Sequence, residues 1–191
     1  MVQLFTERLY IRDHIPDDLN EYHELMSNSI SMRYLTFLKT SNLEESKQSL
    51  QKAINESKSN DRKYYFFWIE NKITKEYIGE VGYNVILETP YGKMATLGYY
   101  IKEKYWNNGY VTEAVKKVFE YAFIENNVYR FIGECIKENI GSEKIMIKCG
   151  MTKEAEYKEY ALNENKLKDS VQYRLLKYEW ENNIEKSKTS T

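Results

Sequence analysis

The stretch Leu97-Gly-Tyr-Tyr-Ile-Lys-Glu-Lys-Tyr-Trp-Asn-Asn-Gly-Tyr-Val-Thr-Glu-Ala114 contains the end of a strand, a short polar turn and the start of a long helix. The helix is read from its period. Val111, Ala114, Val115, Val118, Phe119, Ala122 and Phe123 recur at i, i+3, i+4, i+7 and i+8, with Lys116, Lys117 and Glu120 on the opposite face. A turn that leads from a strand into a helix points several backbone N–H groups one way and adds them to the positive end of the helix dipole. That combination suits a phosphate. Gly109 lets the backbone approach an anion, and Thr112 adds a hydroxyl. On these residues alone, a strand-to-helix turn with no ligand is an equal reading. The stretch is neither a Walker loop nor a GxGxxG turn.

Working outward, Tyr64–Glu70 and Tyr77–Leu87 are rich in aromatic and β-branched residues and are joined by the polar turn 71–75, which predicts a hairpin. A third strand of this meander runs over Met94–Ile101, after the turn at Pro90-Tyr-Gly92. Leu4, Leu9 and Ile11 predict a first strand over about 3–12. Pro16 with Asp17 and Asp18 opens a helix to about Met26, and Ser41-Asn-Leu-Glu44 reads as a capping box for another, to about Lys58. Downstream come a strand at Phe131–Ile136 and a helix from about Ile140 to Lys148, stopped by Gly150. Two more strands are expected at about 152–161 and 168–178. The expected organisation is one domain over 1–184 and a flexible tail over 185–191.

The chain has 191 residues, 42% hydrophobic and 30% charged, a globular mixture. Its 28 basic and 29 acidic residues leave a net charge of -1, which argues against a general nucleic-acid coat protein. The opening residues carry Glu7 and Asp13 and lack a long apolar run, so they do not read as a secretory signal. The most apolar run, Tyr64–Ile69, is far short of the ~18 residues of a spanning helix. Cys135 and Cys149 make no disulfide framework and read as buried or half-buried thiols. The expectation is a cytoplasmic protein with no membrane or nucleic-acid partner. His14 and His23 stand apart from any cluster of ligand spacing and are read as surface residues, with no metal expected.

Tyr105-Trp-Asn-Asn-Gly-Tyr-Val-Thr-Glu-Ala114 resembles the pyrophosphate loop of the GNAT superfamily of acyl-CoA-dependent N-acyltransferases. Trp106 stands where the loop commonly has Arg or Gln, and Val111 replaces its second small residue. Other blocks support the likeness: Thr6-Glu-Arg-Leu-Tyr-Ile-Arg12, Tyr129-Arg130, Glu138-Asn-Ile-Gly-Ser142, Lys148-Cys-Gly-Met151, and Asp169 with Tyr173 and Glu179-Trp180. Together they are similar to the branch that acetylates the N-termini of ribosomal proteins. The resemblance implies an α/β (α+β) fold: a mixed, mostly antiparallel twisted sheet of about seven strands flanked by helices, its fourth and fifth strands splayed around acetyl-CoA, the cosubstrate.

By the same resemblance, the pantetheine arm bonds to the backbone of Tyr99, Tyr100 and Ile101. The pyrophosphate lies on the amides of Asn107, Asn108, Gly109, Tyr110, Val111 and Thr112. Asn139 contacts the arm or orders a water, and is also readable as a plain helix N-cap. Ser142 reaches the thioester sulfur. Many relatives carry a tyrosine as general acid seven residues after that asparagine, where this chain has Met146, which donates no proton. The acid is then Ser142, a water, or none, since a thiol of pKa ~8.5 leaves tolerably well unaided. Glu80 is the first candidate base and Glu134 the second. Each is also readable as a charge on a solvated face.

The implied reaction is transfer of acetyl from acetyl-CoA to a primary amine by direct attack in a ternary complex. A protein N-terminal α-amine, possibly ribosomal, is the favoured acceptor. A polyamine or aminoglycoside-like amine is the alternative within that class. A non-catalytic acyl-CoA sensor or docking module is the alternative outside it, and a nucleotide-binding α/β domain a third reading. A monomer–dimer system, with a homodimer formed through exposed edges or the C-terminal strands, is expected.

Overall fold

The computed structural model describes residues 1–189, with the side chains of 187–189 left aside. Its strands are β1 (Gln3–Phe5), β2 (Leu9–Arg12), β3 (Tyr64–Asn71), β4 (Tyr77–Thr89), β5 (Gly92–Ile101), β6 (Val128–Ile136), β7 (Thr152–Asn163) and β8 (Lys166–Leu176). Its helices are α1 (Leu19–Ser27), α2 (Leu43–Ser57), α3 (Tyr110–Ile124), α4 (Ile140–Lys148) and α5 (Lys177–Thr189). The strands form one mixed, mostly antiparallel sheet in the order β1-β2-β3-β4-β5-β6-β8-β7. The β5–β6 pair is parallel and short, from Lys93↔Val128 to Thr96↔Ile132, while β6 stays paired with β8 as far as Ile136↔Ser170.

The sheet has eight strands rather than about seven because 3–12 is not one strand. It folds back on itself, pairing Gln3 with Arg12 and Phe5 with Tyr10. The turn is closed by the Thr6 amide donating to Leu9 O (3.0 Å) and by the Leu9 amide donating to Thr6 Oγ1 (2.9 Å). Helix α2 starts one residue later than the expected box. Asn42 is the N-cap, its side chain accepting from the Glu45 amide at 2.9 Å, while the Glu45 carboxylate accepts from the Ser41 amide at 2.7 Å. Residues 177–189, of which 177–178 were expected in a strand and 185–189 in a tail, form α5. Glu179 in its first turn accepts from the Leu176 amide at 2.9 Å, half of a capping box. Residues 190–191 of the expected tail lie outside the described residues.

Two compact units group these elements: 1–84 with 98–118, and 85–97 with 119–191. In the first, α1 and α2 pack together and α2 packs on β3. Tyr22, Leu25, Met26, Leu50 and Ile54 from the helices meet Phe66, Trp68, Tyr77 and Tyr100 from the sheet, all buried. In the second, the rings of Phe119, Phe123 and Phe131 pack within 4.5–6.0 Å of one another, and Trp180 of α5 lies 5.2 Å from Phe123. A phenylalanine so enclosed is worth ~3–5 kcal/mol against alanine. Cys135 and Cys149, both in this unit, are free and buried. No described helix is long and apolar enough to cross a membrane.

Candidate active site

The turn before α3 belongs to the first unit. One turn of 3-10 helix (Glu103–Tyr105) leads to Trp106, whose indole N–H donates to Ile101 O at 3.3 Å. Asn107 (φ 61°) and Gly109 (φ 77°) then adopt left-handed backbone, which glycine takes freely and asparagine tolerates. Asn107, Asn108 and Gly109 are exposed, Tyr110 and Thr112 half-buried, and Val111 buried. The first rung of the helix is the Glu113 amide donating to Gly109 O at 3.1 Å. The amides of Gly109 to Thr112 therefore lack acceptors within the helix and remain at its positive end.

A carboxylate in that first turn opposes an incoming anion, and Glu113 is such a carboxylate. Its charge is taken up by Arg8, in the β1–β2 turn. Glu113 accepts from Thr6 Oγ1 (2.5 Å), the Arg8 amide (3.0 Å) and Arg8 Nε (2.7 Å), and pairs with Arg8 Nη2 at 2.6 Å. Burial would raise the Glu113 carboxyl, but these partners outweigh it and hold the group below its ordinary range. Arg8 also donates through Nη1 to Asn108 O (3.0 Å) and lies 4.5 Å over the Tyr110 ring. It thus pins both the loop and the helix start. Sequence reasoning did not assign Arg8 this role, because its partner lies 105 residues away.

Glu80, the first candidate base, is fully buried on β4. Simple alternation puts Tyr77 and Glu80 on opposite faces. Between them the register slips: Glu70 pairs with Tyr77 while Ile69 pairs with Gly79, leaving Ile78 as the extra residue of a β-bulge. The slip turns Tyr77 onto the same face as Glu80. Gly79 permits the accompanying close approach of β5, since a Cβ there would sit 2.4 Å from Tyr100 O. That face is the one under α1 and α2. The Tyr77 hydroxyl donates a short hydrogen bond to Glu80 Oε1, and His14 Nε2 lies 2.7 Å from Oε2.

His14 is overturned as a surface residue: it is 2% exposed, and His23 is half-buried against Ser46 (2.8 Å). The other ring nitrogen of His14, Nδ1, faces Asp18 Oδ2 at 3.4 Å, short of a hydrogen bond. Asp18 in turn holds Arg12 through both its oxygens (2.8 and 2.7 Å) and accepts from the Ile15 amide at 2.9 Å. Burial alone would push the His14 imidazole down. The adjacent Glu80 and Asp18 charges push it further the other way, to about 9. Burial also pushes the Glu80 carboxyl up against the pull of His14. Both partners are pushed upward, and as a tightly coupled pair they titrate together rather than singly. For Asp18, burial is outweighed by Arg12, His14 and the Ile15 amide, and its carboxyl is lowered.

In the second unit, Asn139 caps α4, its side chain accepting from the Ser142 amide at 3.2 Å. Ser142 hydrogen-bonds to the Cys135 thiol, which burial pushes up to about 11 despite that bond. An un-ionised, enclosed thiol of this kind is inert. Met146 is 1% exposed and lies across Gly133, where a Cβ would come within 2.6 Å of its sulfur. It is a core residue, and a tyrosine in its place would be overpacked. Glu134 is exposed and accepts from Ser170 Oγ at 2.8 Å. Of the β5 residues, Tyr99 is half-buried, and Tyr100 and Ile101 are buried. Among the described residues no group of three or more His, Cys, Asp or Glu could hold a metal ion.

The sequence model of the acetyltransferase (GNAT) domain family matches residues 8–152. An uncharacterized N-acetyltransferase of Bacillus subtilis, YnaD, is 27% identical over 189 residues, covering 94% of this chain and 99% of its own. Two solved structures resemble the fold equally. The ribosomal-protein-S5-alanine acetyltransferase of Vibrio fischeri aligns with a TM-score of 0.80 at 22% identity, over 94% of this chain and 99% of its own. The spermidine N-acetyltransferase of Vibrio cholerae, in complex with CoA and spermine, aligns at 0.80 and 20%, over 93% of this chain and all of its own (100%).

Proposed function

This chain belongs to the GNAT acetyltransferase family and carries acetyl from acetyl-CoA to an amine, and from that premise we propose that the amine is the α-amine of a protein N-terminus. The observation that carries the reading is the state of Glu80. Its charge is already matched by His14, and Asp18 by Arg12, so the cluster has no surplus negative charge with which to draw in and deprotonate a strongly basic ammonium. An acceptor must bring its own neutral fraction. For an α-amine of pKa ~7.7–8 roughly a tenth is neutral at pH 7, while for a lysine-like amine at ~10.4 it is nearer one in a few thousand.

The reaction is direct attack of that neutral amine on the thioester. The pyrophosphate is assigned to the amides of residues 107–112, where Arg8 pairs with the Glu113 carboxylate that would otherwise repel it. The pantetheine arm is assigned to the backbone of Tyr99, Tyr100 and Ile101, whose amides also oppose the charge developing on the carbonyl oxygen. The family resemblance carries the arm contact to Asn139 and the sulfur contact to Ser142. The proton lost by the amine passes to Glu80 through the Tyr77 hydroxyl. As the N–H bond breaks an O–H bond forms on Tyr77, and the proton Tyr77 held moves to Glu80 Oε1. The thiolate leaves unaided or takes a proton from Ser142 or water.

Thiol release from acetyl-CoA at pH 7 tests the acceptor. The panel is peptides with a free N-terminus, the same peptides blocked at the N-terminus but carrying lysine, and spermidine. The free-amine peptides should react at least about tenfold faster than the other two, given the difference in neutral fraction. Faster turnover of spermidine would move the acceptor to the polyamines. No release with any amine, from protein that binds acetyl-CoA, would make the chain a sensor instead.

A further inference from the structure

We propose that His14 is a positioning residue for the transfer: its imidazolium, held between Glu80 and Asp18, keeps the enclosed Glu80 carboxylate charged and aimed to receive the amine's proton. The inference rests on the reading of Glu80 as proton acceptor. It starts from an imbalance that burial creates. Glu80 is 0% exposed and sits among rings, so alone it would hold its own proton and accept no other. His14 Nε2 at 2.7 Å supplies the countercharge and a fixed direction for Oε2, leaving Oε1 to the Tyr77 hydroxyl.

The groups that face the pair are countable element by element. Tyr77 comes from β4 itself, Tyr64 from β3, Tyr100 from β5 and Tyr22 from α1, the last bonded to Ser49 of α2 at 2.9 Å. Burial raises all four phenols, so they are neutral wherever an amine is acetylated. Trp68 presents an edge to His14 and carries no charge. The charges within reach are then those of His14, Asp18 and Arg12, on β2 and the segment that follows it, and of Lys102 after β5, whose ammonium lies 5.3 Å over the Tyr77 ring and is paired with Glu21 and Glu24 of α1. The first three alternate with Glu80: Arg12 positive, Asp18 negative, His14 positive, Glu80 negative.

Each step of the transfer has a defined charge state. When Glu80 takes the proton it becomes neutral, and the imidazolium is left facing Asp18 at 3.4 Å, so His14 remains balanced until Glu80 gives the proton up. Asp18 thereby opposes Glu80. Removing His14 takes a positive charge from beside Glu80, and removing the Asp18 charge takes away a negative one. The two changes must shift the acid side of the rate profile in opposite directions.

The experiment is kcat/KM against pH for wild type, Glu80→Gln, His14→Gln and Asp18→Asn, with acetyl-CoA affinity measured in parallel by calorimetry. Glu80→Gln with unimpaired turnover would sink the reading of Glu80 as the acceptor of the proton, and this inference with it. With Glu80→Gln inactive, His14→Gln should move the acid limb upward by about one pH unit, a tenfold loss of rate at fixed acidic pH. Asp18→Asn should move it downward, and acetyl-CoA affinity should not change in either. A His14→Gln enzyme that is slower at every pH, with its limb in place, would overturn the proposal while leaving Glu80 as the base. If His14→Gln does not fold, Asp18→Asn gives the sign by itself: an unmoved or upward limb overturns the proposal, and a downward one supports it.

Discussion

The two units place their charges in different ways. The first carries charge inside as well as at its surface: Arg62 meets Asp13 at 2.7 Å with side-chain exposures of 7% and 0%, Arg12 forks onto Asp18, and His14 meets Glu80. In the second, charge lies on the long β7–β8 hairpin and beside it, where Glu156 collects Lys137 (2.6 Å), Lys153 (3.1 Å) and Lys158 (3.3 Å). Both arrangements shift pKa values, and the three lysines hold Glu156 down to about 2. For these enclosed pairs of the first unit, losing a partner leaves a charge with no water to turn to. Burial, rather than the number of ion pairs, separates a structural commitment from a solvated surface.

The strongest way to break this contrast is Arg62→Met. The guanidinium lies over the rings of Tyr65 (4.4 Å) and Phe67 (5.3 Å), so methionine keeps much of the apolar contact while leaving the Asp13 carboxylate without its countercharge and with the Val2 amide (2.6 Å) as its remaining hydrogen bond. Urea unfolding should show a loss of about 3–5 kcal/mol, the usual cost of an orphaned buried charge. Adding Asp13→Leu should recover most of it. A loss no larger in the single than in the double variant would mean that packing, not charge, is what Arg62 supplies.

The next effect is read by pH. His14 stands at about 9 in the folded chain against 6.5 for the free group, so the fold binds its proton more tightly than the unfolded chain does. The stability this contributes is fully present below about pH 6.5 and is lost as pH rises through 9. Asp18, whose carboxyl is lowered, contributes in the other direction: its share is present above the ordinary carboxylate range and is lost as pH falls through its folded value. Thermal unfolding of wild type should therefore weaken from pH 6.5 to 9.5, and His14→Gln should flatten that slope. An equally steep slope in the variant would assign the alkaline loss to other groups.

The smallest effect is expected on the hairpin. Glu156→Gln removes the hub of three lysine contacts, yet all lie in water, and the thermal midpoint at ordinary salt should not move beyond measurement error. A clear drop would show that the surface network is cooperative and would narrow the contrast between the units.

How much of this was legible in the sequence follows from periodicity. Helix α3 announces itself through seven apolar positions at helical spacing, and α4 lies where the sequence places it, over 140–148. Glu80 was legible as a candidate but not as a buried one. Alternation distinguishes faces only when one face is wet, and β4 is buried at every position from Tyr77 to Tyr83. The bulge at Ile78, which aligns Tyr77 with Glu80, has only Gly79 as a hint. The fold-back after Phe5 was missed because Thr6-Glu-Arg8 contains no glycine, proline or asparagine to mark a turn. His14 was misread because a lone histidine carries no pattern; its burial is set by a carboxylate 66 residues on. Helix α5 was missed because its polar, charged sequence lacks a strong apolar stripe.

The Arg8–Glu113 clamp also bears on the order in which the molecule assembles. Its two halves are separated by 105 positions, so the clamp closes only once the pairings of β1, β2, β3 and β4 have shortened the loop between them. Helix α3 and the β3–β4 hairpin need only near neighbours and are expected to form earlier. The turn before α3 is then among the last parts to set, and only after the first ten residues have docked. In a refolding experiment, secondary structure should return before the capacity to bind acetyl-CoA. A nascent chain bearing a bulky group at its amino end would be slowed at that final closure rather than in the growth of its helices.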